Sequence, residues 1–178
     1  MEKRELVFRK AQENDLDAVE AIYDRLHALE DAGRVTIGWI TGIYPIRDDA
    51  QAALDRGDLY VCETDGSVAA SAIINQRQVD IYADADWSYP ANDSEILVLH
   101  TLTVDPERSG RGIGRAFAQY YEQCARDMGC KVLRIDTNER NRTARRLYAG
   151  LGYREADILP CSFNRIPDVH LVLLEKAL

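Results

Sequence analysis

The chain has 178 residues, 46% of them hydrophobic, which is enough for one domain with a buried core and too short for two. Its 30 acidic and 22 basic side chains give a net charge of -8, and this acidic balance excludes the basic face that nucleic-acid binding requires. No apolar run reaches the roughly 20 residues that span a bilayer, and the N-terminal segment is charged where a signal peptide is apolar. We therefore expect one cytoplasmic domain, residues 1–178, with no nucleic-acid or membrane partner.

The four cysteines show no spacing typical of a metal site. A chain in the reducing cytosol keeps its thiols unpaired. We expect free thiols, no disulfide and no bound metal, at Cys62, Cys124, Cys130 and Cys161.

The first half of the chain carries signals for a strand, two helices and an antiparallel hairpin. Alternating apolar residues predict strands, and apolar residues at every third or fourth position predict helices. The dipeptide Asp65-Gly66, a common two-residue hairpin turn, separates the last two strands. The expected elements are a strand at residues 6–11, helices at 15–31 and 48–57, and strands at 59–64 and 67–76.

The second half alternates strands with helices. A nearly continuous apolar run at residues 95–104 is typical of a central strand that is buried on both faces. Beyond it, the expected elements are a helix at residues 113–128, a strand at 131–137, a helix at 142–151, and strands near 153–159 and 169–176. This order predicts a mixed α/β domain.

A glycine-rich turn joins the central strand to the next helix. The stretch "TVDPERSGRGIGRAF" places Gly110, Gly112 and Gly114 at every second position. Backbone N–H groups at the positive end of a helix dipole bind anions, so the turn predicts a phosphate site. It matches neither the dinucleotide pattern G-x-G-x-x-G nor the G-K-[ST] of a P-loop, and a turn that only reverses the chain is the alternative.

Arginines gather at the starts of two successive helices of this acidic chain. Helical arginines often form only a solvated face, but two such clusters at one edge of a sheet favour a cradle for a phosphate ligand. The first cluster is Arg108, Arg111 and Arg115, and the second is Arg140, Arg142, Arg145 and Arg146.

Two segments in this order and separation resemble the hallmark motifs of the GNAT N-acetyltransferase superfamily. The stretch "LTVDPERSGRGIGRAF" is similar to [QR]-x-x-G-x-[GA], with Gly112 and Gly114 as its small residues and Ser109 in place of Gln or Arg. The stretch "NRTARRLYAGLGY" resembles N-x-x-A-x-x-L-Y-x-x-x-G-[FY], and the element order matches the family's fold across essentially the whole chain. The matching residues are Asn141, Ala144, Leu147, Tyr148, Gly152 and Tyr153.

The resemblance implies a fold, a cofactor and a reaction. The fold is a mixed central sheet of about six to seven strands flanked by about four helices, with central strands splayed at the cofactor site. The cofactor is acetyl-CoA, whose acetyl group passes to a primary amine of a small molecule by direct attack in a ternary complex. The residues expected at the cofactor are Leu102, Thr103, Val104, Ser109, Gly110, Arg111, Gly112, Ile113, Gly114, Arg115, Asn141, Arg145 and Tyr148.

The catalytic assignments are less constrained. Tyr148 is the expected acid, because a phenol of reference pKa about 10 is still protonated when a thiolate of reference pKa about 8.5 leaves; the alternative is a core aromatic. Val98 stands where some relatives of the resembled family carry a glutamate base. His100 and Glu95 are the candidate bases, against a core histidine, a solvated glutamate, a water chain or no dedicated base.

The acceptor site is expected between the first two helices and the loops that face them. Trp39 and Tyr44 are candidate walls, although such aromatics also anchor loops. Asp84 and Asp86 belong to an acidic segment without Lys or Arg that would attract a cationic amine, or would simply be solvated. A protein or peptide N-acetyltransferase and a catalytically silent acyl-CoA-binding module remain alternative functions, and a homodimer is compatible with the sequence.

Overall fold

A computed structural model describes residues 5–178. Its four helices are α1 (Leu16–Asp31), α2 (Arg47–Arg56), α3 (Ile113–Asp127) and α4 (Arg142–Ala149). Its seven strands are β1 (Val7–Lys10), β2 (Leu59–Thr64), β3 (Ser67–Asn75), β4 (Ile96–Val104), β5 (Val132–Asn138), β6 (Arg154–Phe163) and β7 (Ile166–Ala177). Every predicted helix and strand is present, in the predicted order, so the mixed α/β prediction is confirmed.

The strands form one mixed sheet. Their spatial order is β1-β2-β3-β4-β5-β7-β6, and β4 and β5 are the parallel pair. The other neighbours run antiparallel. The change of direction between β3, β4 and β5 falls in the middle of the sheet.

The two hairpins share one turn geometry. Asp65 and Gly66 both have positive φ, 54° and 72°, as the predicted two-residue turn requires. Asn164 and Arg165, with φ of 51° and 65°, make the same kind of turn between β6 and β7. Because that second turn lacks glycine, the sequence signal missed it, and β6 and β7 are longer than predicted.

The helices cover both faces of the sheet. On β4, Leu97 and Leu99 belong to the core under α3 and α4, whereas Ile96 and Val98 face the opposite side. On β3, Ile73 packs against α1 and α2, and its neighbour Ile74 joins the α3 side. Burial on both faces accounts for the continuous apolar run of β4.

None of the helices within residues 5–178 has the length and apolarity needed to cross a membrane. All four cysteines are free thiols; Cys62 and Cys130 are buried, and Cys124 and Cys161 are half-buried.

Candidate active site

β4 and β5 separate in the middle of the sheet and open a cleft. The two strands are paired up to Leu99 and Ile135. Beyond these residues β4 continues to Val104 and β5 to Asn138, but the two strands no longer pair with each other. The cleft has a volume of about 850 Å³. The splayed strands that the resemblance implied are therefore present.

A bulge in β4 frees backbone groups for this cleft. Thr101 has a φ of 50°, and the β3–β4 register shifts at this point. The N–H of Asp105 donates to Ala69 of β3 over 2.8 Å. Because successive peptide groups of a strand point to opposite sides, the N–H groups of Leu102 and Val104 point away from β3 and into the cleft. A bound chain can pair with them as an added strand would.

The glycine turn lies at the far end of the same cleft. Gly110 and Gly112 have φ of 74° and 77°, values that favour glycine, and a Cβ on either would meet no atom within 4 Å. Within residues 5–178 no side chain caps the first turn of α3, so its N–H groups have no partner on the helix or from a described capping group. The turn therefore offers an open, uncapped and positively polarised helix end.

The side chains around the turn divide between solvent and core. Ser109 is exposed and lines the cleft, Arg111 and Arg115 are exposed, and Ile113 is buried in the core. A Cβ on Gly114 would lie 3.5 Å from Val104, an ordinary packing distance, so α3 begins in contact with β4.

Three of the clustered arginines have partners within the protein. The exposed Arg115 donates to the carbonyl of Gly150 over 3.4 Å, and the other two, Arg108 and Arg145, are held more closely. The guanidinium of Arg108 donates to the carbonyl of Thr64 over 3.0 Å and reaches the β2–β3 turn. Arg145 forms a two-pronged ion pair with Glu155, at 2.7 and 2.8 Å, and donates to the carbonyl of Glu139. Neither guanidinium is free to bind a phosphate in this arrangement, and α4 contributes less to the cradle than its arginine content indicates.

Asn141 and Tyr148 reach the cleft from α4. The side-chain oxygen of Asn141 accepts the N–H of Ala144 over 3.1 Å, so this residue caps its helix as well as lining the cleft. Tyr148 is buried, and its hydroxyl has no hydrogen-bond partner within residues 5–178. Burial, together with the nearby carboxylate of Asp136, raises the pKa of Tyr148 and keeps the phenol protonated.

The two predicted bases lie in different surroundings. His100 lines the cleft, and its Nε2 lies 2.9 Å from the Oδ1 of Asn75; burial lowers the pKa of His100 to about 4. Glu95 lies outside the residues that line the cleft, where it forms an ion pair with Lys131 that lowers its pKa. The structure brings His100 to the site and leaves Glu95 at the surface beside Lys131.

The residues predicted at the acceptor site lie in two different places. Trp39 and Tyr44 line the cleft, with ring centroids 6.2 Å apart in an edge-on arrangement, and the Tyr44 hydroxyl bonds the side chain of Thr101. Asp84 and Asp86 are exposed and lie outside the cleft lining, so the structure lends no support to their role at the acceptor.

One carboxylate in the cleft escaped the sequence prediction. Asp136 lies at the end of β5 and accepts a hydrogen bond of 2.7 Å from the hydroxyl of Tyr82. Burial raises its pKa from an ordinary value of 3.8 to about 6. The only available signal was an acid that follows the apolar residues of a central strand, where parallel β proteins place functional groups.

Within residues 5–178 the structure gathers no group of three or more His, Cys, Asp or Glu side chains that could hold a metal ion.

Comparisons with known proteins agree with this geometry. The family profile described as "Acetyltransferase (GNAT) family" matches residues 20–153. The uncharacterized N-acetyltransferase MJ1530 of Methanocaldococcus jannaschii is 27% identical over 175 residues, which cover 96% of this chain and 92% of that protein. A second uncharacterized N-acetyltransferase of that organism, MJ1207, is 25% identical over 105 residues. These residues cover 59% of this chain and only 42% of the length of MJ1207.

Solved structures show the same fold. A GNAT-family acetyltransferase from Streptococcus agalactiae superimposes with a TM-score of 0.80 at 21% identity, covering 97% of this chain and 95% of that one. The acetyltransferase yncA of Salmonella typhimurium, solved with its cofactor acetyl-CoA, gives a TM-score of 0.66 at 19% identity and covers 97% and 93%. With the family profile matching three quarters of its length, the chain belongs to the GNAT family of N-acetyltransferases.

Proposed function

We propose that this protein transfers the acetyl group of acetyl-CoA to a primary amine of a small molecule, by direct attack within a ternary complex. The observation that carries the proposal is one continuous cleft. It joins the uncapped start of α3 to the open edge of β4 and to Tyr148.

The residues of the cleft fit coenzyme A. The exposed turn around Gly112 offers unpaired N–H groups to a pyrophosphate, and Arg111 and Arg115 add positive charge beside it. The N–H groups of Leu102 and Val104 supply main-chain partners for the amides of a pantetheine arm. When bound, acetyl-CoA supplies an acyl group activated as a thioester, and N–H groups of β4 can polarise its carbonyl.

Tyr148 is placed to move a proton. Its hydroxyl lies in the cleft with no hydrogen-bond partner among residues 5–178, and its raised pKa ensures that it carries a proton at neutral pH. The thiolate that leaves during acetyl transfer is a stronger base than water, so it can accept this proton from Tyr148.

The far half of the cleft favours a small acceptor over a protein surface. The carboxylate of Glu30 holds the N–H groups of Ile37 and Gly38, at 2.6 and 3.1 Å, and so fixes a loop across this half. Phe163 and Asn164, at the tip of the β6–β7 hairpin, line it from the other side. A site walled from two sides accommodates a compact amine more readily than an extended polypeptide.

A pair of variants at Gly112 tests the cofactor assignment. Gly112→Asp and Gly112→Asn add side chains of the same shape into open space at the same positive φ, and differ only in charge. In the wild-type protein, acetyl-CoA at about 100 times its Kd adds about 2.7 kcal/mol to the free energy of unfolding, equivalent to roughly 5–10 °C in Tm. Gly112→Asp is expected to lose most of this shift by repelling the pyrophosphate, and Gly112→Asn to keep much of it. A full shift in Gly112→Asp contradicts the assignment.

A further inference from the structure

We propose that Asp136 is the general base of acetyl transfer and that Tyr82 holds it in position. This inference rests on the proposed function, because a base is needed only if an amine is the acceptor.

Asp136 occupies the point at which the cleft opens. Its predecessor Ile135 forms the last pair between β5 and β4, so Asp136 is the first β5 residue without a β4 neighbour. On the other side its backbone remains in register with Leu173 of β7, which fixes the strand. The side chain lines the cleft at the same level as the bulge that follows His100.

The carboxylate is held by one oxygen only. Its Oδ2 accepts the Tyr82 hydroxyl at 2.7 Å, and within residues 5–178 its Oδ1 has no hydrogen-bond partner. Asp136 takes part in no ion pair with any described residue, unlike Glu95 and Asp105, whose charges are balanced by Lys131 and Arg25. A half-buried carboxylate without a cation is costly to keep, which favours a role in binding or chemistry.

The groups that face Asp136 are neutral. The titratable side chains that interact with it come from four separate elements, and none carries a positive charge: Tyr44, Tyr82, Tyr148 and Cys161. An amine entering the cleft brings the cation that the site lacks. With a pKa of about 6, the carboxylate is ionised at neutral pH and is a stronger base than an ordinary aspartate.

Tyr82 is itself rigidly placed. It is fully buried, its ring packs edge-on against Trp87 at 5.3 Å, and its carbonyl accepts the indole N–H of Trp87 over 2.7 Å. Trp87 in turn lies under the guanidinium of Arg134, 4.0 Å from its ring centroid. The loop that carries Tyr82 therefore acts on the reaction through Asp136, which makes Tyr82 a positioning residue.

An amine that enters as an ammonium first gives one proton to solvent, because only the neutral nitrogen can attack. From that point the proton balance is complete with two side chains. As the new C–N bond forms, the Oδ1 of Asp136 accepts the proton that the nitrogen loses. As the C–S bond breaks, the electron pair leaves with sulfur, and the hydroxyl of Tyr148 donates the proton that the sulfur gains. Passage of the Asp136 proton to the Tyr148 phenolate, directly or through solvent, restores both residues.

His100 is the competing base. Its pKa of about 4 leaves it neutral at physiological pH, and its Nε2–H is committed to Asn75, whose Oδ1 also accepts the N–H of Arg77. If the rate of proton removal depends steeply on the strength of the base, a base of pKa about 4 removes a proton about a hundredfold more slowly than a base of pKa about 6. The pH profile separates the two residues, because His100 would place the acid limb near pH 4 and Asp136 near pH 6.

The test combines a direct titration with kinetics. The ¹³C resonance of the Asp136 carboxyl, assigned by its loss in Asp136→Asn, is followed by NMR in the apo protein and with coenzyme A. The kinetic arm measures kcat/KM against pH for the fastest acceptor in a panel of primary amines. The variants are Asp136→Asn, Tyr82→Phe and, as an exposed control on α2, Asp55→Asn.

The expected results separate catalysis from folding. Asp136 titrates near pH 6. Asp136→Asn loses roughly 10²-fold or more in kcat/KM and loses the limb near that pH, while acetyl-CoA still raises its Tm. Tyr82→Phe removes a hydrogen bond that lowers the pKa of Asp136, so both the NMR titration and the kinetic limb move to higher pH. Asp55→Asn behaves as wild type.

Four results would overturn the inference. A wild-type acid limb that persists in Asp136→Asn assigns the base to another group and leaves the proposed function intact. A carboxyl that titrates near 4 removes the argument. A kinetic limb that does not move in Tyr82→Phe also removes it, and this result stands even if Asp136→Asn fails to fold. If the wild-type protein binds acetyl-CoA but acetylates no amine, the proposed function falls, and the base assignment with it.

Discussion

Replacing Asp136 by asparagine should stabilise the protein at neutral pH. The pKa of Asp136 rises from 3.8 to about 6 on folding, a shift of about two pH units. At 1.36 kcal/mol per unit this corresponds to about 3 kcal/mol, which is an upper bound because the side chain is partly open to the cleft. We therefore expect Asp136→Asn to raise the free energy of unfolding at pH 7 by about 1–3 kcal/mol. The amide oxygen can still accept the Tyr82 hydroxyl, so that contact is kept.

The sign of the pH dependence distinguishes this explanation from a simple packing effect. A pKa that is raised on folding stabilises the folded state at low pH, and this contribution is lost as pH rises from about 4 to about 6. Urea unfolding of both proteins from pH 4 to pH 8 measures the difference, in which the other titrating groups cancel. The advantage of Asp136→Asn should be small near pH 4, grow through pH 6 and then level off. A variant that is less stable than wild type by the same amount at every pH would refute the reasoning.

Three further predictions, two inside the cleft and one at Glu95 outside it, are checked by steady-state kinetics. Tyr148→Phe should lower kcat by about 10²-fold or more with little change in acetyl-CoA affinity. The control Tyr153→Phe should keep its turnover, because the Tyr153 ring packs 5.7 Å from that of Tyr148 and lies outside the cleft lining. Wild-type turnover in Tyr148→Phe would show that Tyr148 is only a core aromatic. Glu95→Gln should leave kcat/KM within about twofold, because its surface ion pair contributes little, and a tenfold loss would restore Glu95 as a base. Gly38→Ala should raise the KM for the amine more than the Kd for acetyl-CoA, since its Cβ would lie 2.3 Å from the amide of Asn138; equal KM values would show that this loop does not shape the acceptor site.

Much of the fold could be predicted because local and long-range signals agree. The apolar run of β4, the helical spacing of α1 and α3, and the Asp65-Gly66 turn each specify one conformation, and all are found. The glycine turn was also predictable, because the positive φ of Gly110 and Gly112 favours glycine.

The parts of the site that escaped prediction depend on tertiary contacts. The bulge at Thr101 places a non-glycine residue at positive φ, and no sequence pattern marks it. The ion pair of Arg145 could not be predicted because its partner Glu155 lies on a later strand. The burial that raises the pKa of Asp136, and the ion pair of Glu95 with Lys131, likewise arise only in the folded chain.

The most direct test of the central claim is thiol release from acetyl-CoA by the wild-type protein. The assay compares a panel of small primary amines with lysine-containing peptides and with no acceptor, and mass spectrometry identifies the product. The account predicts stoichiometric thiol release and an N-acetyl product with at least one small amine, at a rate above that for any peptide. Tight binding of acetyl-CoA without transfer to any amine, or transfer to peptides alone, would contradict it.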